Sequence, residues 1–507
     1  MAVITCRITI DGRAGKLMKF LVHAEVNEAN IGERLGTADY SYFFLLRSFS
    51  QVFADLGEVV TVQDPAEAEA IHAQGLAAGE QCVLLSFAPP HKTPLGLTCP
   101  VVPVFAWEYP DIPERLEEVC WQDDPRNDWR HVFSRTSKAI ALSRHTMDAV
   151  KRAMGPHFPI AAIPSPLRAA EHTDHGQIDP VTGSAVLRIE ASVADSRQMG
   201  LNADQLLSLE EEDGTPYQLG DDDVLPPLPH THPSLDHKVE ILDTEVLELL
   251  PGESGPVVCG WDIPPVMPIA IQLRGLIYTS VLTPAVGRKN WEDLVTAFCW
   301  TFRNRADVTL ILKLTGSDLP FSHCQLLMLL TKLSPMRCRV ISVYGYLSDT
   351  DYASLIDVTT YYVNASLCEG LCLPLIEFLN SGIPAIAPDN TGMADYIDDK
   401  LAFVVESYPG EPTVWPHGDY EVNRTTRHQV SWASLADAYL QSYRVALDDP
   451  ERYRRMSTQA SCAIQAYCGV PAVKRMLQDF LLPGHQPEHA QPQPSHEATA
   501  DAIRGRP

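Results

Sequence analysis

The sequence predicts an α/β fold with two doubly wound parallel sheets. Short apolar runs of about four to eight residues, the length of buried strands, alternate with amphipathic segments of helical length. Strands separated by helices in this way are typical of parallel sheets. The alternation occurs twice and is interrupted once, by residues rich in Asp, Glu, Pro and His. The chain is therefore expected to form two similar halves separated by an acidic insertion.

Residues 1–168 are the first predicted domain. Residues 1–26 predict one or two strands, because apolar residues alternate with charged ones. They lack the uninterrupted apolar core of a signal peptide. The strands that follow are expected at 58–62, 81–90, 99–110, 138–143 and 159–167, and the helices at 41–57, 67–77 and 144–155.

Residues 169–265 are the acidic insertion or linker, within which residues 185–192 and 238–249 have the composition of strands. The triple aspartate at 221–223 raises the alternative of a metal site. A solvated acidic loop is the favoured interpretation, because no fixed set of ligands stands nearby.

Residues 266–450 are the second predicted domain and resume the alternation. Residues 451–483 are amphipathic helices expected to cross back to the first domain. Residues 484–507 are polar and Pro-rich and are predicted to be a disordered tail. The second domain's strands are expected at 275–284, 308–316, 338–348, 360–366 and 383–387, and its helices at 290–305, 321–334, 349–359, 374–381 and 431–447.

Composition limits the classes of function. The net charge is −26 over 507 residues, which disfavours nucleic acid as a partner. A phosphorylated ligand would then need a local concentration of cations. The sequence has no run of eighteen or more apolar residues, so no membrane span is predicted. It also has no basic amphipathic helix that would support association with a membrane surface. The twelve cysteines lack paired metal spacing, and reduced thiols in a cytoplasm are expected.

Residues 366–397 carry the functional signal. Pro374 suits the first position of a helix and Gly382 its end, so a short helix is followed by a buried strand. Glu369 and Gly370 then lie in a turn at the carboxyl edge of the sheet, where ligands bind, and Glu377 lies in the first turn of the helix. Two carboxylates beside free N–H groups suggest a nucleotide sugar. The alternative is a helix-terminal Glu377 and a surface Glu369.

The Glu-x7-Glu spacing within EGLCLPLIEFLNSGIPAIA closely resembles the donor-site motif of retaining family 4 glycosyltransferases of the GT-B fold. The resemblance implies two Rossmann-like domains that face each other across a cleft. It implies that Glu369 and the N–H groups of Gly370 and Leu371 contact the donor sugar, and that Glu377 binds the ribose. Cys372 belongs to the same donor-binding turn.

PAVGRKNWEDLVTAF resembles the family's basic loop, in which a Lys and an Arg grip the donor diphosphate. Lys289 matches the Lys, and Arg288 is the nearest substitute for an Arg that usually stands earlier. Lys313, at the end of a strand on the same edge, is a candidate third cation. The alternative for Arg288 and Lys289 is a solvated start of a helix, although cations there oppose the helix dipole.

YGYLSDTDYASLI resembles the segment that cups the nucleotide base, with Gly345, Tyr346 and Leu347 as candidates. For Tyr346, plain packing is the alternative. In the first half, Gly32 lies in a loop that is expected either to pass close to donor and acceptor or to be a plain connection.

VFAWEYPDIP ends a strand near the place where family members often present a His. Here Trp107 is a candidate for stacking on a sugar face, and Glu108 for orienting an acceptor hydroxyl. His91 is a second candidate in the cleft, with a structural role as the alternative.

The resemblance implies glycosyl transfer from a nucleotide-diphosphate sugar to a hydroxyl of a glycan or lipid-linked acceptor, with retention, in the assembly of a surface polysaccharide or lipopolysaccharide. It implies no metal and no tightly bound cofactor. A sugar-nucleotide epimerase of the same fold, a phosphorylase and a non-catalytic nucleotide-sugar-binding scaffold are the alternatives. A phosphorylase should carry a lysine in a setting that binds pyridoxal phosphate, and the sequence shows no convincing one.

Overall fold

A computed structural model of the chain describes residues 18–26, 40–116, 120–121, 123–167, 183–199, 263–316, 318–414 and 423–482. Two parallel sheets dominate it, one in each half of the chain. The predicted segment 238–249, the aspartates at 221–223, Gly32 and the tail 484–507 lie outside the described residues.

The first sheet has six strands in the order β2-β1-β3-β4-β5-β6, and every neighbouring pair is parallel. Its central strands are buried and largely apolar apart from Gln81 and Ser86, as expected of strands covered on both faces. The strands are β1 Met18–His23, β2 Glu58–Thr61, β3 Gln81–Phe87, β4 Val101–Phe105, β5 Ala139–Ala141 and β6 Ile160–Ala162.

Four helices connect these strands. Asp64 begins the second of them by accepting from the N–H of Ala66, and Ser143 begins the fourth by accepting from the N–H of Thr146. The helices are α1 Tyr40–Ala54, α2 Pro65–Ala78, α3 Trp129–Phe133 and α4 Arg144–Met154.

The second sheet has eight strands in the order β14-β13-β12-β9-β10-β11-β7-β8. The six from β9 to β14 are parallel, whereas β7 and β8 join the β11 edge as an antiparallel pair. The strands are β7 Ser184–Asp195, β8 Met267–Arg274, β9 Leu276–Leu282, β10 Val308–Leu314, β11 Arg339–Tyr344, β12 Tyr361–Val363, β13 Ala385–Pro388 and β14 Ala402–Val405.

Strand β7 changes the sequence-based division of the chain. The predicted boundaries place it in the insertion 169–265, but it pairs with β11 and so belongs to the second sheet. Its alternation of buried and exposed residues is that of a strand with one covered face. The composition of residues 185–192 predicted a strand there, but not its place in the second sheet.

The helices of the second half are α5 Trp291–Thr301, α6 Leu319–Leu333, α7 Asp349–Asp357, α8 Leu373–Asn380 and α9 Trp432–Asp448. An antiparallel hairpin, β15 Ser407–Val414 and β16 Asn423–Val430, precedes α9 and was not predicted. None of the helices in the described part of the chain is long and apolar enough to cross a membrane.

Two final helices, α10 Pro450–Cys468 and α11 Val470–Leu481, contact the first domain. The carbonyl of Cys468 accepts from the N–H of Leu167 at 3.0 Å, and Lys474 forms an ion pair with Asp55 at 3.0 Å. These contacts agree with helices that cross back. The predicted GT-B-like architecture of two facing Rossmann-like domains is thus confirmed by the strand order and by contacts between the halves.

A buried ion pair joins β7 to the rest of its sheet. Arg339 of β11 and Asp195 of β7 lie 2.6 Å apart with side chains 5% and 4% exposed, and Arg339 also donates to the carbonyl of Gln272 at 2.6 Å. A charge buried to this degree is tolerated because its partner is in place.

Replacing Asp195 with Ala is expected to lower the free energy of unfolding by about 3–5 kcal/mol, because it leaves a buried guanidinium without its carboxylate. Urea denaturation would measure the change. Glu451→Ala is the control, because Glu451 is 70% exposed in its pair with Arg454 and should cost under about 1 kcal/mol. Equal decreases in the free energy of unfolding in the two variants would contradict a structural role for the pair of Arg339 and Asp195.

Candidate functional site

Three charged side chains meet at the carboxyl edge of the second sheet. The turn after β12 carries Glu369, and the turn Gly287–Lys289 after β9 carries Arg288 and Lys289. Because β9 and β12 are parallel neighbours, both turns lie at one edge. Arg288 Nη1 donates to Glu369 Oε2 at 2.7 Å, and Lys289 Nζ donates to Oε1 at 2.5 Å. The structure therefore brings together the acid and the two cations that the sequence selected.

Glu369 is ionised despite being only 3% exposed. Burial opposes the charge, but Lys289 and Arg288 outweigh it and lower the pKa of Glu369 to about 2. Burial also opposes the charge of Arg288, yet Glu108 and Glu369 hold its pKa well above the ordinary value. Glu369 and Arg288 are thus both charged at neutral pH.

Hydroxyl groups fix the turn that carries Glu369. Ser366 Oγ donates to Glu369 Oε1 at 2.7 Å, and the N–H of Glu369 donates to Thr391 Oγ1 at 2.8 Å. Asn364 accepts from the N–H of Ser366 at 2.7 Å. The contact of Ser366 with the carboxylate was not predicted from the sequence. The signal was its position three residues before Glu369.

Gly370 lies where the two domains meet. A Cβ added there would stand 2.7 Å from the Cβ of Ala106 and 3.0 Å from the N of Trp107, so only glycine allows this approach. From the first domain, Glu108 Oε1 accepts from Arg288 Nη2 at 2.6 Å. Glu108 is thus joined to the charge cluster, and its contact with an acceptor hydroxyl stays a prediction.

The N–H groups of Gly370, Leu371 and Cys372 donate to no acceptor within the described part of the chain. All three residues are buried. Cys372 has a φ of 66° and directly precedes α8, and burial raises the pKa of its thiol to about 12. Three consecutive free donors before a helix form a site suited to an anion or a sugar oxygen.

Glu377, the second acid of the motif, lies on α8. Its Oε2 accepts from the hydroxyl of Tyr352 at 2.9 Å. Burial chiefly raises the pKa of Tyr362, and the charges of Cys372, Glu369 and Glu377 add to this effect. Glu377 also lines a small cavity of about 20 Å³ against Phe44 and Ser48 of α1. Tyr352, which sequence reasoning did not select, holds this carboxylate in place.

Lys313 ends β10 with 5% exposure. Burial lowers the pKa of its ammonium to about 7, and it forms no ion pair within the described residues. Lys313 is beside β9 on the same sheet but is not joined to the cluster of Glu369 by a hydrogen bond.

The predicted base-binding segment follows β11 at the same edge. Gly345 has a φ of 87°, Tyr346 is 49% exposed and Leu347 is 5% exposed. Tyr346 therefore presents its ring to solvent, whereas Leu347 packs in the core. Their contacts with a base stay predictions.

Two predicted aromatic residues of the first domain lie in its core. Trp107 is 3% exposed, and its Nε1 donates to the carbonyl of Asp111 at 2.8 Å. His91 is 2% exposed, and its Nδ1 pairs with Nε1 of Trp129 at 3.3 Å. The rings of Trp107 and Trp129 pack together with centroids 4.6 Å apart. Both residues are thus core residues of the first domain, and their roles in binding an acceptor stay predictions.

The hairpin β15–β16 lies beside the site and was missed in the sequence. The N–H of His428 donates to the carbonyl of Leu367 at 3.1 Å, and Thr425 Oγ1 donates to Asp111 at 3.4 Å. The hairpin thus contacts both the turn of Glu369 and the first domain. No cluster of His, Cys, Asp and Glu able to hold a metal occurs among the described residues.

No protein-family model and no curated protein matches the chain. Among solved structures, it is similar to Anabaena HepE in complex with UDP and glucose, with 10% identity, a TM-score of 0.45 and coverage of 92% of this chain and 99% of that one. It is also similar to sucrose-phosphate synthase from Thermosynechococcus elongatus, at 14% identity, TM-score 0.47 and coverage of 92% and 98%.

A third similar structure is a glycosyltransferase from Rickettsia africae, at 10% identity, TM-score 0.43 and coverage of 92% and 99%. Identities and TM-scores this low do not assign a substrate or a reaction to the chain. Its chemistry has to be inferred from its own site.

The lowered pKa of Glu369 predicts how stability depends on pH. The ordinary pKa of a glutamate is 4.5, and the pKa of Glu369 in the folded protein is about 2. The stabilisation of the folded state by the ionised carboxylate is therefore fully present above pH 4.5 and is lost as the pH falls towards 2. Glu369→Gln should therefore be destabilised by a constant amount between pH 7 and 5. Below pH 4.5 the difference in free energy of unfolding between the wild type and Glu369→Gln should shrink by about 1.4 kcal/mol per pH unit.

Urea denaturation of both proteins at half-unit steps from pH 7 to 3.5 would measure this dependence. Glu451→Gln, an exposed control, should show no such narrowing. A Glu369→Gln difference that stays constant down to pH 3.5 would contradict the ionised, doubly paired carboxylate.

Proposed function

We propose that the protein is a glycosyltransferase that moves a sugar from a nucleotide-diphosphate sugar to a hydroxyl acceptor. The observation that carries this proposal is the charge cluster of Glu369, Arg288 and Lys289 beside the free N–H groups of residues 370–372. It supplies cations, amide donors and a carboxylate at the sheet edge where α/β proteins bind ligands.

Arg288 and Lys289 suit a diphosphate. In a protein with a net charge of −26, two adjacent cations at a sheet edge are the local concentration that a phosphorylated ligand needs. As the bond to the sugar breaks, negative charge grows on the leaving diphosphate, and prearranged cations stabilise it. Lys313, a buried cation at the end of the neighbouring strand, is proposed to add to this field.

The carboxylates suit hydroxyl groups. Ionised carboxylates only accept hydrogen bonds, so Glu369 is suited to the hydroxyls of the donor sugar and Glu377 to those of the ribose. The hydroxyl of Tyr352 donates to Glu377 Oε2 at 2.9 Å and so orients this carboxylate. The amides of residues 370–372 are then suited to a sugar oxygen or a phosphate oxygen.

The proposed reaction proceeds with retention by a front-face displacement. The leaving phosphate oxygen takes the proton of the acceptor hydroxyl while the acceptor oxygen bonds to the anomeric carbon. Glu369 stabilises the positive charge that develops on the sugar. We place the reaction in the assembly of a surface polysaccharide or lipopolysaccharide, as the motif's resemblance implies.

A thermal-shift panel of UDP-, GDP-, ADP- and CMP-linked sugars is expected to give at least one stabilising donor, because ligands that bind the folded state raise the melting temperature. With that donor, Glu369→Ala should lower kcat by roughly 10²–10³-fold and leave the nucleotide bound. Lys289→Met should instead weaken nucleotide binding by about tenfold or more. Turnover would be followed by product analysis and binding by calorimetry.

Lys332→Met is the matched control, because Lys332 is an exposed lysine in the last turn of α6. It should change neither quantity. Nucleotide binding without any turnover or slow donor hydrolysis in the wild type would favour the non-catalytic scaffold. The absence of binding across the whole panel would contradict the proposal.

A further inference from the structure

The guanidinium of Arg288 is divided between the two domains. Its Nη1 donates to Glu369 Oε2 at 2.7 Å and to the carbonyl of Cys368 at 3.1 Å, both in the second domain. Its Nη2 donates to Glu108 Oε1 at 2.6 Å, in the first domain. One nitrogen therefore fixes the side chain in its own domain, and the other holds the partner domain.

The two carboxylates are held very differently. Glu369 is 3% exposed and also accepts from Lys289 and Ser366. Glu108 has a side chain 20% exposed, and within the described residues its carboxylate accepts from Arg288 alone. If one of the two must give way to an incoming anion, it is Glu108, because it loses one contact and moves into water.

We propose that the Glu108 carboxylate occupies the position at which a phosphate oxygen of the donor binds Nη2 of Arg288. A nucleoside diphosphate then binds by displacing this carboxylate. This inference rests on the proposed function and identifies the contact by which the site selects a diphosphate. A phosphate oxygen replaces the carboxylate charge for charge, so the partly buried guanidinium stays paired. A neutral nucleoside or free sugar offers no such replacement and leaves Glu108 in place.

Displacement of Glu108 has a structural consequence. Residues 106–107 lie against Gly370, where an added Cβ would be 2.7 Å from Ala106. Glu108 follows directly in this loop, and its carboxylate is the group that joins the loop to Arg288 of the second domain. Its displacement therefore removes one of the contacts that hold the two domains together beside the N–H groups of residues 370–372.

The test uses the full chain and its Glu108→Gln variant, titrated by calorimetry with UDP, GDP and ADP. Glutamine keeps the size of the side chain and removes the charge that competes with phosphate. The diphosphate that binds the wild type is expected to bind the variant about tenfold more tightly, the order of one charge-assisted contact. The matching nucleoside should show no gain.

Asp349→Asn is the matched control. Asp349 also forms an ion pair between the domains, with Arg47 at 3.5 Å, but its side chain is 61% exposed and the pair lies outside the charge cluster. Its removal should leave the affinity for the diphosphate within about twofold of the wild type.

Hydrogen exchange without nucleotide gives an independent readout. Amides at 105–109 and 368–372 should exchange faster in Glu108→Gln than in the wild type and in Asp349→Asn. Equal diphosphate affinities in wild type and Glu108→Gln would overturn the displacement and leave the proposed function standing. Failure of every diphosphate to bind either protein would overturn the proposed function, and the competition with it.

Discussion

The burial of a carboxylate between two cations is the interaction on which the candidate site depends. Taking three charges out of water is costly, and the cost is offset only when their geometry satisfies all of them. Here Glu369 accepts from Arg288, Lys289 and Ser366, while its amide is held by Thr391. Each contact restricts the turn after β12, so the amides that precede α8 are fixed together with the carboxylate. Glu369 is therefore held by more contacts than Glu108, whose carboxylate accepts from Arg288 alone among the described residues.

Much of this arrangement could be predicted from the sequence, because the signals are local. Pro374 in the first turn of α8 and the apolar run at 383–387 specify a turn, a helix and a strand. The carboxyl ends of parallel strands share an edge, so the turns of Lys289 and Glu369 could be placed together without coordinates. The mostly apolar run of β10, in which only Thr309 and Lys313 are polar, likewise predicts a strand covered on both faces.

The parts that could not be predicted depend on contacts between distant segments. The pairing of Glu108 with Arg288 joins residues 180 positions apart, and nothing near either residue specifies it. Trp107 and His91 have the side chains of a sugar site, but their burial is decided by Trp129 on another element. The hairpin β15–β16 carries Pro and Gly within its first strand, where Pro is tolerated at an edge, and so it lacks an ordinary strand signature.

The antiparallel pairing of β7 with β8 bears on how the chain tolerates its acidic middle. Ala191 is in register with Met267, and Ser192 Oγ donates to the carbonyl of Pro264 at 2.5 Å, so the chain departs from and returns to the sheet at neighbouring points. Closing a longer loop between fixed ends costs only about 0.6 kcal/mol for each doubling of its length. The sheet margin formed by β7 and β8 is therefore a point at which the intervening segment can be lengthened, shortened or exchanged while the parallel strands β9 to β14 keep their order.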